Sequence, residues 1–434
     1  MVSAIFNIFN DCETYEKVNT INEGIIMGFE YFILILAYVV GFYMAWNIGA
    51  NDVANSMASA VGAKAISIKQ AVVIAGILNI VGALFLGSHV TNTIRKGIVS
   101  TDILSDPHIA MIGALAALLS SALWVSFATW KSLPVSTTHS IVGSMIGFGI
   151  MAGGFSVINY SKLLSVVMSW IISPIFSLAL SYLMFKIIVR FILKKKNAYE
   201  MAILLCPFLT GLIIFIVVLS FLFKTPFGKS LNIGMPLASF IALILSCLLG
   251  LLATKLIEKY TDSTSSNAIE MIFRKIQIGT SCYMSLAQGA NDVANAIGPL
   301  ALIYFLVKTG APGSSVPVPV FLLLFGGVGI ATGISMWGYR VMDTVGHKIT
   351  TLTNTRGFSV DFAAASTVLI ASKLGLPVST THAAVGGVIG VGLARGLEAV
   401  NFGIIGRVIV YWVVTVPAAA LTCMVLFYCF KLLF

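Results

Sequence analysis

Apolar runs of about 20 residues, the length a helix needs to cross a bilayer, alternate with short polar breaks from one end of this chain to the other. The pattern predicts spans near 24–48, 68–90, 108–128, 135–151 and 162–193. A second group follows near 201–223, 235–256, 276–295, 316–338, 361–374, 378–396 and 402–433. That makes twelve transmembrane segments, two of them short and opening on an unusual polar run. The fold class expected is an all-α polytopic membrane protein.

Composition sharpens this picture. The 434 residues are 58% hydrophobic and only 10% charged, with a mean hydropathy of +1.00. Soluble domains carry roughly a quarter charged residues, so this surface is built for lipid. Met1–Gly24 lacks the basic start and continuous apolar block of a cleaved signal peptide. The net charge of +10 belongs to cytoplasmic loops rather than to a nucleic-acid partner, because lysine and arginine collect on the inner side of membranes. If the acidic N-terminus lies outside, most of the 26 basic residues fall on cytoplasmic loops. The expected orientation therefore has both termini outside the cell membrane and Lys255–Lys275 inside. The polar stretch Glu258–Ile276 is read as the central cytoplasmic loop, with a short amphipathic helix from Asn267 lying on the surface. The six cysteines show neither metal-site spacing nor a disulfide framework.

Two blocks occur twice, in the same order. GANDVAN stands at Gly49–Asn55 and again at Gly289–Asn295; LPVSTTH stands at Leu133–His139 and again at Leu376–His382. Asn51 precedes Pro134 by 83 residues and Asn291 precedes Pro377 by 86, so the chain carries an internal duplication. Each copy holds five spans and two lie between, which inserts the second copy upside down. Such inverted-topology repeats with broken or re-entrant helices give secondary transporters alternating access to a site at the midplane. The organisation expected is an external segment 1–23, a first repeat 24–196, two connecting helices 197–257, the loop 258–275 and a second repeat 276–434.

The blocks differ in chemistry. In LPVSTTH the proline ends the preceding segment, and Ser136 or Thr137 is placed to cap the glycine-rich helix that follows. The free N–H groups of its first turn, with the hydroxyls of Ser136, Thr137 and Thr138, suit an oxyanion. Ser379, Thr380 and Thr381 repeat the set. Capping alone would explain one such run; two, inverted, would hold a tetrahedral anion from opposite sides. In GANDVAN the glycine permits an unwound backbone, and Asn51, Asp52 and Asn55, with Asn291, Asp292 and Asn295, offer oxygens to a hard cation such as Na⁺. Hydrogen bonds between helices, or proton carriage by Asp52 and Asp292, are the other readings. A divalent anion in low dielectric needs positive charge, yet neither block contains lysine or arginine. Accompanying cations resolve this, which argues for symport. The aspartates also accept hydrogen bonds from a protonated oxyanion, favouring phosphate over sulfate.

Both doubled blocks, with GGVGIATGISMWGYRVMDTVGHKIT (Gly326–Thr350) and GFSVDFAAAST (Gly357–Thr367), resemble the inorganic phosphate transporter (PiT) family over nearly the whole chain. The resemblance implies phosphate at Ser136, Thr137, Thr138, Ser379, Thr380, Thr381, Asp52 and Asp292. It implies Na⁺ at Asn51, Asn55, Asn291 and Asn295 together with those aspartates. Coupling to Na⁺ or, in some bacterial members, to H⁺ is implied, and some relatives carry sulfate. Several members have Glu where Asn79 and Ala114 stand here; Asp361 keeps an acid where such members have Glu, and is a further candidate for cation coupling. No organic cofactor is called for.

Motif absences narrow the class. There is no GxxxxGK[ST] loop for an ATP-driven pump, and neither HExxH nor GxSxG for an enzyme. An anion channel is the remaining competitor and predicts flux indifferent to a cation gradient. His139 and His382 follow each STT run with a packing or hydrogen-bonding role at least as fitting as a site role. Asp343 is expected at the cytoplasmic surface. The sequence leaves a homo-oligomer open.

Overall fold

A computed structural model describes residues 2–88, 90–91, 106–225, 228, 231–310, 318–342 and 351–434, with side chains from residue 28 onward. Asp343 lies outside the described residues. Twelve long helices are found among those described: α1 Val2–Gly62, α2 Ile68–Leu86, α3 Pro107–Trp130, α4 Thr137–Gly153, α5 Tyr160–Ile188, α6 Ala198–Lys224, α7 Met235–Lys259, α8 Ala268–Thr309, α9 Val320–Trp337, α10 Asn354–Lys373, α11 Thr380–Arg395 and α12 Phe402–Leu433. Nine of them are long and apolar enough to cross a membrane. The other three are α4, α10 and α11; α4 and α11 open on the two STTH runs.

Two expectations are corrected. The backbone does not unwind at GANDVAN: α1 and α8 run unbroken through both copies. Gly49 and Gly289 serve a different end, since a Cβ on either would collide with a carbonyl oxygen of the neighbouring helix, Ile330 O in α9 or Asn79 O in α2. The break in helix falls at the prolines, in the turns between α3 and α4 and between α10 and α11. Nor does Asn267 open a separate surface helix; it precedes α8, which continues without interruption for 42 residues.

The packing follows the duplication, each repeat clasping the other. Helix α1 packs on α9 and α8 on α2; α4 packs on α12 and α11 on α5. Small residues set these crossings. Gly143 and Gly147 of α4 lie against the backbone of Val416 and Ala420, and Gly386 and Gly390 of α11 lie against Pro174 and Leu178. Close approach of this kind replaces the hydrophobic drive that lipid removes. A pseudo-twofold axis thus runs through the centre, where α8 is so enclosed that 89% of its apolar window is buried.

Candidate functional site

Ser136 and Ser379 are the caps. Each sits in extended conformation and its hydroxyl accepts the N–H of the histidine three residues on, His139 or His382, at 3.2 Å. The turn before each cap is tied to GANDVAN of its own repeat. Asn51 Nδ2 donates to Leu133 O at 3.0 Å and its Oδ1 accepts Val135 N at 3.2 Å; Asn291 Nδ2 donates to Val378 O at 2.8 Å. Replacing Ser136 or Ser379 with alanine should lower the thermal unfolding midpoint by an amount equivalent to about 1 kcal/mol per cap, measured by denaturation in detergent.

The two polar blocks meet within and across repeats. Thr137 Oγ1 donates to Asp52 Oδ2 at 2.7 Å and Thr380 Oγ1 to Asp292 Oδ2 at 3.0 Å. Asn55 Nδ2 crosses to Thr380 and Thr381 Oγ1 at 3.2 and 3.0 Å, and Asn295 Nδ2 crosses to Thr137 and Thr138 Oγ1 at 3.1 and 3.2 Å. Thr138 and Thr381 donate to Val378 O and Val135 O of the opposite turn. All twelve residues singled out in the two blocks come together, and none is more than 5% exposed. In this conformation the site is closed to solvent from both sides.

Its charge balance is distinctive. Among the described residues the buried carboxylates and imidazoles are Asp52, Asp292, Asp361, His139 and His382, with no buried lysine or arginine. Three buried carboxylates without a protein counter-charge are costly. Three buried oxygens of the blocks also lack a hydrogen-bond partner: Asp52 Oδ1, Asn291 Oδ1 and Asn295 Oδ1. An all-oxygen set containing a carboxylate fits a hard cation.

Asp361 lies apart from the two blocks, on α10, where it accepts the hydroxyls of Ser59 and, at 2.6 Å, Ser281. Those serines were not singled out in the sequence. Ser59 falls seven residues, two helical turns, after Asp52, and that spacing on a buried face was the available signal. The histidines do take hydrogen-bonding and packing roles. His139 Nδ1 meets Trp412 O at 3.2 Å while its ring lies 3.8 Å from that of Trp170; His382 Nδ1 meets Trp170 O at 3.1 Å and its ring lies 3.7 Å from Trp412. Asn79 is buried against Gly289, with its Oδ1 unpartnered.

The N-termini of α4 and α11 thus meet beside Asp52 and Asp292, and comparison with known proteins decides the family. A profile of the phosphate transporter family matches residues 48–423. This chain belongs to the phosphate transporter family. It is 50% identical over 394 residues to "Putative phosphate permease TK2061" of Thermococcus kodakarensis, covering 91% of this chain and 97% of that one. It is 41% identical over 409 residues to "Inorganic phosphate transporter 2-1, chloroplastic" of Arabidopsis thaliana, covering 88% and 69%. Among solved structures, one described as "The sodium-dependent phosphate transporter" aligns with a TM-score of 0.86 at 44% identity, over 93% of this chain and 100% of that one. The chain is a membrane-embedded phosphate transporter, not an enzyme.

Proposed function

We propose that this transporter imports inorganic phosphate across a cell membrane by symport with Na⁺, through alternating access, with both termini outside. The observation that carries the coupling is the set of three buried carboxylates with no buried lysine or arginine among the described residues. Phosphate adds further negative charge to that centre, so cations must enter with it. The relative described as sodium-dependent supports Na⁺ in that role.

The hydrogen bonds supply a coupling device. The hydroxyls of Thr137 and Thr380 rest on Asp52 and Asp292. When they turn to phosphate, each carboxylate loses a donor, and its oxygens pass to a cation. Asn51, Asn55, Asn291 and Asn295 complete that oxygen set, while Ser136, Thr138, Ser379 and Thr381, with the first-turn N–H groups, complete the anion cradle. Asp361, with Ser59 and Ser281, is assigned as a further cation-coupling acid.

Uptake of radiolabelled phosphate into proteoliposomes tests this. An inward Na⁺ gradient should drive accumulation that excess sulfate leaves untouched. Accumulation under a proton gradient alone would make the aspartates proton carriers, block by sulfate would shift the substrate, and flux indifferent to any cation gradient would indicate a channel. Thr137→Val or Thr380→Val should raise the KM for phosphate about tenfold or more, since each removes a hydrogen bond to a charged group worth about 1.5–3 kcal/mol.

A further inference from the structure

The two repeats run in register around the proline turns, so differences between matched positions stand out. Leu133 N bonds Ala128 O as Leu376 N bonds Ala371 O, at 2.9 and 3.1 Å. Ser132 and Gly375 share positive φ, 57° and 69°. Thr367 of α10 is therefore the counterpart of Trp124 in α3. The glycine contacts set the other register: Gly143 meets Val416 where Gly386 meets Pro174, which makes Ser173 of α5 the counterpart of Thr415 in α12.

In the first repeat, Trp124 Nε1 donates to Thr415 Oγ1 at 3.1 Å, so an indole joins α3 to α12. The second repeat lacks that ring. Thr367 turns its hydroxyl to Ala363 O at 2.7 Å, and Ser173 Oγ, in a residue only 3% exposed, has no partner. A cavity of about 420 Å³ between α5 and α10 remains, lined in part by Met168, Ile172, Ser173, Phe176, Thr367 and Leu374. Its outer rim is the chain's apolar surface, Leu374 being 68% exposed. Val378 also lines it, and the carbonyl of Val378 accepts both Thr138 and Asn291 of the transport site.

We propose that this cavity binds a membrane-dissolved molecule with a flat apolar body and one hydrogen-bond donor, which occupies the place that Trp124 fills in the other repeat. The size is that of an ordinary small-molecule site. Ser173 Oγ accepts the donor, the ring of Phe176 and the branched chains of α5 and α10 enclose the body, and an acyl chain alone would leave Ser173 unpartnered. Occupancy joins α5 to α10 beside Val378 and so slows movement of the turn that closes the anion site. That second effect rests on the transport function proposed above; binding does not.

The probe is 3-methylindole, the tryptophan side chain as a free molecule, added to the purified full-length protein. It should raise the unfolding midpoint saturably, because a ligand bound only to the folded state stabilises it. Thr367→Trp should raise the midpoint by itself and abolish the response, and Thr367→Phe, which fills the space without an N–H, serves the same end should the indole not be accommodated. Ser173→Ala should weaken half-saturation by about threefold to tenfold, the effect of one neutral hydrogen bond. In proteoliposomes, 3-methylindole should slow phosphate uptake by the wild type, whereas Thr367→Trp, slowed already by its own indole, should show no further change when the probe is added. An equal response in wild type and Thr367→Trp, or no saturable response in wild type, overturns the site and leaves the groove to ordinary lipid. A saturable shift without slowed uptake overturns the effect on transport alone.

Discussion

Asp52→Asn and Asp292→Asn proteins should fold, insert and reconstitute like the wild type yet fail to accumulate phosphate against its gradient. Asparagine keeps the shape of the side chain and an oxygen for the hydroxyl of Thr137 or Thr380, so the packing survives. What is lost is the negative charge proposed above to hold the cation. Removing one partner of a buried charge pair weakens binding by about 2–5 kcal/mol, which lowers coupled uptake by roughly thirtyfold or more. The two variants should differ in detail. Asp52 Oδ1 has no hydrogen-bond partner, whereas Asp292 Oδ1 already accepts Asn291 Nδ2 at 2.7 Å. Asp52→Asn should therefore weaken the dependence on Na⁺ concentration more than Asp292→Asn. Initial uptake rates titrated against Na⁺, with the midpoint of thermal unfolding as the folding control, measure both. Normal accumulation by either variant would remove that aspartate from the mechanism.

Glycine substitutions should give the largest loss of folded protein. At Gly49 and Gly333 a methyl group would run into the carbonyl oxygens of Ile330 and Trp46. These are backbone atoms of a facing helix, which cannot rotate aside as a flexible side chain can. Gly49→Ala and Gly333→Ala should each destabilise by about 1–3 kcal/mol or more, and the double variant should yield almost no monodisperse protein on size exclusion. Gly279 and Gly406 are the controls. A Cβ there meets nothing within 4 Å, so alanine at either should be neutral or stabilising by up to about 1 kcal/mol. If all four behave alike, close backbone approach is not what holds α1 to α9.

The doubled blocks made the site legible in the sequence because its chemistry resides in contiguous residues. Polar groups in hydrocarbon are expensive, so a repeated polar heptapeptide can be noticed without knowing the fold. The cap at Ser136 and the break at Pro134 were legible for a similar reason: both follow from local backbone chemistry. What could not be read was anything depending on which helix lies opposite. Gly49 permits either an unwound backbone or a close crossing, and only the presence of α9 decides for the crossing. Ser59 and Ser281 look like ordinary small polar residues until α10 brings Asp361 between them. The continuous course of α8 was hidden as well, because Glu270, Arg274 and Lys275 interrupt the apolar pattern while still fitting its first turns.

The crossed amides of Asn55 and Asn295 have a consequence for ancestry. Each asparagine holds the threonines of the other half, so neither half contains the complete candidate site. A half-length ancestor carrying one copy of each block could have worked only as a pair of identical chains inserted in opposite orientations, which demands a polypeptide with no strong preference for either direction. Fusion through α6 and α7 would remove that demand. Within one fused chain the two halves need not be identical, and Trp124 and Thr367 at matched positions differ in what they contact.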